Sequence, residues 1–305
     1  MAKIAYTNPA TTIPQQITKL QNKGLTISDI SYASNVLTSI NYYRLSGYWL
    51  YYETSRDVIR PGTTFEQVMD MYYFDRDLRS LIFEGISRFE VTLRTRRAYE
   101  TGIKYGPQKF YYKNYCKDET ERLANIKTTK HEVDRSKEAF IKHNVTKYTG
   151  KLPAAWISCE VMSFGNLSCW YTNLKEVPSS NPTSPGNAKD AIASFFKVDA
   201  HLLESWIHSL AVLRNQCAHQ ARIVNKKLTI IPKKPKSNKN PIKNLWSSQS
   251  NCYYNLILVL IFLNQNITSP SHWVTEIKDF LKRNKTKCID FLGFSNDWEK
   301  DSFWA

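Results

Sequence analysis

Leu203-Glu204-Ser205-Trp206-Ile207-His208-Ser209-Leu210-Ala211-Val212-Leu213-Arg214-Asn215-Gln216-Cys217-Ala218-His219 places its apolar residues at helical spacing. The period holds from residue 199 to about residue 225, and Asp199 is placed to cap the start. On a wheel that advances 100° per residue, Leu203, Trp206, Leu210, Leu213 and Cys217 gather within about 80°. That stripe predicts a helix with one buried face. Similar patterns along most of the chain predict an all-α protein. The opposite side carries Glu204, His208, Asn215, His219 and Arg222, with Ala211 and Ala218 beside them. Small residues in a polar stripe let another surface approach closely.

Arg214 lies at the edge of the polar stripe, roughly 7.5 Å of helix rise before His219, and its long side chain can reach back toward the same place. A guanidinium stays charged and an imidazole titrates near neutrality, so the pair suits proton transfer beside a phosphate. Asn215, one turn before His219, is placed to orient the ring. The plainer alternative is an ordinary surface histidine that follows an arginine by chance.

Residues 214–225 resemble the Arg-Asn-x-x-x-His signature of the HEPN superfamily, an all-helical group rich in RNA-cleaving toxins. More narrowly, the chain resembles the Abi-like family, the AbiD and AbiF abortive-infection proteins. Three more stretches carry that resemblance: Ile40-Asn41-Tyr42-Tyr43-Arg44-Leu45-Ser46-Gly47-Tyr48, Tyr73-Phe74-Asp75-Arg76-Asp77-Leu78-Arg79 and Trp156-Ile157-Ser158-Cys159-Glu160-Val161-Met162-Ser163-Phe164-Gly165. Together they span most of residues 15–225. The resemblance implies a HEPN-like helical bundle and a metal-independent endoribonuclease of anti-phage defence. It also implies a site composed from two copies, so a homodimer in which Arg214, Asn215 and His219 act from each chain.

Composition agrees with a polyanionic partner. The formal charge is +15 and the pI about 9.4 over 305 residues, and neutralising RNA phosphates releases counterions. Six cysteines are scattered without a C-x-x-C pair and fit buried free thiols in a reducing cytoplasm. No secretory pattern is visible in residues 1–12, and the most apolar run, residues 256–263, is far short of the roughly 20 residues that a membrane span needs. No Gly-rich phosphate loop, Ser or Cys nucleophile motif or paired histidine ligand set occurs, so neither a metal nor another cofactor is expected.

The chain divides into an N-terminal helical region (1–60), a HEPN-like bundle (61–225) with a charged helical insertion (102–151), and a Lys-rich loop with C-terminal helices (226–305). Residues 1–12 read as an arm, then helices over 15–23 and 28–54. The second ends in Tyr42, Tyr43, Tyr48, Trp49, Tyr51 and Tyr52, which suit a core better than base stacking beside Arg44. Thr63 and Glu66 form a capping-box pattern for a helix to about residue 101. Leu78, Ile82, Gly85, Phe89 and Leu93 mark its apolar face, and Asp75, Arg79, Glu90, Arg94 and Arg97 flank it. Glu90 and Arg94 either reach the Arg214/His219 pocket, with Arg222 and Glu204 in support, or form a surface charge ladder. His131 and His143 read as surface residues.

A helix is expected over 156–174 with a break at Gly165-Asn166, then a loop over 178–187 and a short helix over 188–196. Beyond residue 225 come Lys226 and Lys227, a short strand over 228–231, and a mobile Lys- and Pro-rich segment over 232–244. The lysines here, Lys226, Lys227, Lys233 and Lys234 among them, either hold an RNA backbone, together with Arg44, or are simply solvated. Helices over 253–264 and 272–284 close the chain. For function, RNA cleavage stands beside two alternatives: a non-catalytic protein that holds a structured, non-coding RNA, and a protein–protein device that works through the charged arm.

Overall fold

The structure, a computed structural model, describes residues 9–178, 180–269 and 271–304; the first eight residues of the expected N-terminal arm lie outside these. Among the described residues it is all-α, with thirteen α-helices and one two-stranded hairpin. The chain forms two compact units, residues 1–78 and 79–305.

The first unit holds α1 (Ile13–Asn22), α2 (Ile30–Ser39), α3 (Tyr42–Trp49) and the antiparallel hairpin β1 (Glu53–Ser55) and β2 (Val58–Ile59). It also holds the first part of α4 (Phe65–Tyr105). A capping box starts α1: Thr12 N donates to Gln15 Oε1 at 2.8 Å, and Thr12 Oγ1 accepts from Gln15 N. The single helix expected over 28–54 is three pieces. Ile40 turns extended, and the Asn41 side chain accepts from Tyr43 N at 2.8 Å, which starts α3 afresh. Asp57, at φ 63°, makes the hairpin turn that periodicity did not reveal. The aromatic cluster is split: Tyr48 and Trp49 are buried and Tyr43 is exposed. Tyr48 donates to the buried Asp75 carboxylate at 2.7 Å.

The capping box of α4 is displaced by one residue from the expected one. Thr64 N donates to Gln67 Oε1 at 3.0 Å and Gln67 N to Thr64 Oγ1 at 3.3 Å, while the Thr63 hydroxyl bonds Arg60 O. Both pairs read alike in sequence, and the Thr26–Thr64 bridge fixes which of them sits at the helix start.

The second unit holds the remainder of α4, then α5 (Glu119–Arg135), α6 (Ala139–Lys147), α7 (Ala155–Val161), α8 (Phe164–Thr172), α9 (Ala188–Phe195) and α10 (Ala200–Ala218). After these come α11 (Tyr253–Gln265), α12 (Trp273–Arg283) and α13 (Lys285–Leu292). Helix α10 packs on α8, α9 and α11, burying Leu203, Trp206, Leu210, Leu213 and Cys217 as its stripe requires. Phe89 of α4 meets Phe164 and Phe196 edge to face at 6.2 and 5.1 Å. Helix α12 closes on α4 where Gly85 leaves room: Trp273 Nε1 donates to Leu81 O at 2.7 Å, and a Cβ on Gly85 would stand 2.1 Å from the indole.

Three further expectations change here, while the charged insertion is helical. The 156–174 helix breaks at Met162–Ser163 and not at Gly165-Asn166, because Ser163 Oγ accepts from Asn166 N and caps α8. The charged insertion packs through α5 on α7 and α8, and Thr129 bridges Asn166 and Trp170 by hydrogen bonds of 2.8 and 2.9 Å. Residues 228–231 form no strand. With prolines at 232 and 235 buried, the segment lies along α10 as irregular chain, Lys233 N donating to Ser205 Oγ and Lys233 O accepting from Trp206 Nε1, both at 2.9 Å. Finally, a separate helix, α13, follows Asn284. No helix among the described residues is long and apolar enough to cross a membrane.

Candidate functional site

Helix α10 stops at Ala218, seven residues short of the expected end. His219 is its C-cap, and Gln220 takes the left-handed conformation at φ 56° that usually falls to glycine. Three consecutive amides are tied down there: His219 N to Asn215 O at 3.0 Å, Gln220 N to Cys217 O at 3.0 Å and Ala221 N to Gln216 O at 2.8 Å. Side chains hold the turn from behind. The buried Arg79 donates to Gln220 Oε1 at 3.5 Å and the buried Tyr253 of α11 to Gln216 Oε1 at 3.2 Å. Ile223 and Val224, both fully buried, draw the chain back into the core, while the His219 ring stays exposed.

One turn and a residue earlier, Arg214 is one-third exposed, with Nε 3.8 Å from Glu90 Oε2 and its guanidinium 5.9 Å above the Phe83 ring. Glu90 is buried, and Arg94 pairs with its other oxygen. Arg94 in turn donates to the carbonyls of Cys159 and Glu160, at 2.7 and 2.9 Å, in the last turn of α7. A buried carboxylate is thus shared between two guanidinium groups, which fixes Arg214 and leaves the cluster with net positive charge. The Asn215 amide oxygen accepts from Arg214 at 3.3 Å, and among the described residues no hydrogen bond joins the Asn215 side chain to the His219 ring, their one link being the backbone bond from His219 N to Asn215 O.

Residues 35–225, well over half of the chain, match the Abi-like protein family. The chain belongs to the Abi-like family. No curated protein and no solved structure matches it. Membership suggests a part in abortive infection. In this Abi-like protein the matched span contains Glu90, Arg94, Arg214, Asn215, His219 and Arg222, and it ends before Lys226 and the C-terminal helices.

Other sequence-predicted residues are placed elsewhere. Glu204 pairs with the buried Lys189 at 2.5 Å and lies 3.7 Å from Lys117, about 15 Å of helix rise from Arg214. Arg222 is off the helix and donates to Val224 O at 3.1 Å. Lys233 and Lys234 are exposed and line a groove of about 780 Å³ with His201, Lys236 and Lys243. Arg44 is exposed on α3 of the first unit. Sequence reasoning missed Phe83 and Tyr253. Phe83 had a signal, since it stands seven residues before Glu90 on the same helical face. Among the described residues no group of three or more His, Cys, Asp or Glu side chains is placed to hold a metal ion.

Proposed function

We propose that this Abi-like protein is a HEPN-type, metal-independent endoribonuclease of anti-phage abortive infection, acting in the cytoplasm as a homodimer. The observation that carries the reading is the end of α10: a guanidinium anchored by buried Glu90, and five residues on an exposed imidazole on tied backbone. In the reaction the ribose 2′ oxygen attacks phosphorus and the bond to the 5′ oxygen breaks. A base takes the 2′-OH proton, an acid protonates the leaving oxygen, and Arg214 stabilises the charge on the phosphorane. The products carry 2′,3′-cyclic phosphate and 5′-OH ends. One chain supplies one such histidine, so base and acid come from His219 of two copies. Exposed Ala218 beside His219 suits a close two-fold approach.

The test compares wild type with His219→Ala on total and structured RNA in the presence of a chelator, with product ends mapped and oligomeric state measured. Cyclic-phosphate ends from wild type alone, with RNA binding kept in the variant, are expected. Full cleavage by a monomer would remove the composite site. If both proteins bind RNA and neither cuts, a non-catalytic protein that holds a structured RNA is the better reading.

A further inference from the structure

From Asn225 onward the chain borders a cavity of about 600 Å³ whose lining, Asn225 apart, lies outside the family-matched span. That volume is within the range of small-ligand sites, roughly 300–1,000 Å³, and far exceeds what a bare phosphate fills. Its lining has three kinds of wall. Lys226 and Lys227 are cationic, Leu245, Trp246 and Phe291 supply apolar surface, and Ser248, Gln249 and Asp290 offer polar atoms. The cationic side is crowded: burial, and then repulsion from Arg222, holds the Lys226 amine below its ordinary range. An anion there would relieve that repulsion. The cavity is also joined to the end of α10 by a short tether, because Asn225 N donates to Phe291 O at 3.2 Å, six residues after His219.

A greasy ligand would leave the lysines desolvated without a partner, and a small anion would leave the apolar wall bare and face the Asp290 carboxylate. A molecule with a phosphate at one end and a flat, hydrogen-bonding ring at the other satisfies all three walls. We propose that this cavity is a nucleotide site, with Lys226 and Lys227 on the phosphate, the base against Trp246 and Phe291, and Ser248, Gln249 and Asp290 at its polar edge. The nucleotide is either free or an unpaired residue of a bound RNA. The second source rests on the RNA reading above.

The test uses the full chain. Each of the four ribonucleoside 5′-monophosphates is titrated by calorimetry, and a fluorescent unstructured ten-nucleotide RNA by anisotropy. Two variants are compared with wild type, the double Lys226→Ala/Lys227→Ala and Ser248→Trp, and circular dichroism melting confirms that both fold. Ser248 is exposed on the cavity lining, so an indole there fills the space and leaves every charge in place. Saturable binding of a mononucleotide, weakened about tenfold or more by both variants, supports the site and assigns it to free nucleotide. RNA affinity weakened about as much by Ser248→Trp, with no mononucleotide binding, supports it and assigns it to RNA. Binding of RNA and mononucleotides indifferent to Ser248→Trp overturns the proposal, even where the lysine variant weakens RNA, because the lysines then act only as surface charge. Cleavage is scored alongside. Wild type that cuts while Ser248→Trp changes nothing removes the cavity site and keeps the nuclease, and mononucleotide binding lost in Ser248→Trp without any cleavage does the reverse.

Discussion

At the residue scale the candidate site turns on Glu90. Its carboxylate faces Arg214 and Arg94 together, so neutralising it leaves two guanidinium groups in mutual repulsion and frees Arg214 to swing. Glu90→Gln is expected to lower kcat about 10- to 100-fold while moving KM little, since a misplaced group costs about that much; single-turnover kinetics with RNA checks the split. The thiols make a second prediction. Burial pushes Cys116 up to about 11 and Cys217 and Cys288 up to about 12, above an ordinary value of 9.0. A raised acid pKa means that the folded state keeps its full contribution below the unfolded value and loses it as pH climbs toward the folded one. The melting temperature should therefore fall steadily from pH 9 toward 11, and at neutral pH a thiol reagent should modify exposed Cys169 ahead of the other five. An unchanged melting temperature across that range would contradict the burial. Part of this geometry was legible: the helical wheel left Glu90 and Arg94 open between the Arg214 pocket and a surface charge ladder, and Glu90 in fact pairs with both Arg214 and, one turn on, Arg94. The wheel misplaced Glu204 because it reports angle and not height, and the right angle recurred nearly three turns away. The end of α10 was illegible because a glutamine, not a glycine, takes the left-handed turn.

Among the elements, Gly85 is where α4 and α12 meet. An alanine there would put its methyl inside the Trp273 ring, and the indole is held by its bond to Leu81 O. Gly85→Ala is expected to cost roughly 1–3 kcal/mol, read as a lower urea midpoint with an unchanged slope; equal stability would mean that Trp273 repacks freely. Long, strongly periodic helices such as α4, α10 and α11 could be read directly. Short ones were blurred by local chemistry that periodicity does not see: the Asn41 side chain restarts α3, and Ser163 separates α7 from α8. Leu228 to Ile231 looked like a strand because its residues favour one, yet Leu228 N donates to Asn251 O at 2.8 Å in irregular chain, no ladder forms there among the described residues, and α10 bonds the backbone only farther on, at Lys233.

For the whole molecule, the excess of positive charge sets an expectation for RNA. Affinity should fall as salt rises, linearly on logarithmic axes, with a slope that shrinks when Lys233, Lys234, Lys236 and Lys243 are replaced by alanine. Binding indifferent to salt would instead favour a protein partner for the charged faces. The tied turn at the end of α10 bears on how fast such a complex forms. A ligand arriving at His219 meets an imidazole whose backbone has already surrendered its freedom, so docking there freezes two side-chain torsions and no loop. Little conformational entropy remains to be lost on the protein side, and on the proposed nuclease reading the waiting time falls to the RNA, which would have to bring a ribose and its phosphate into line.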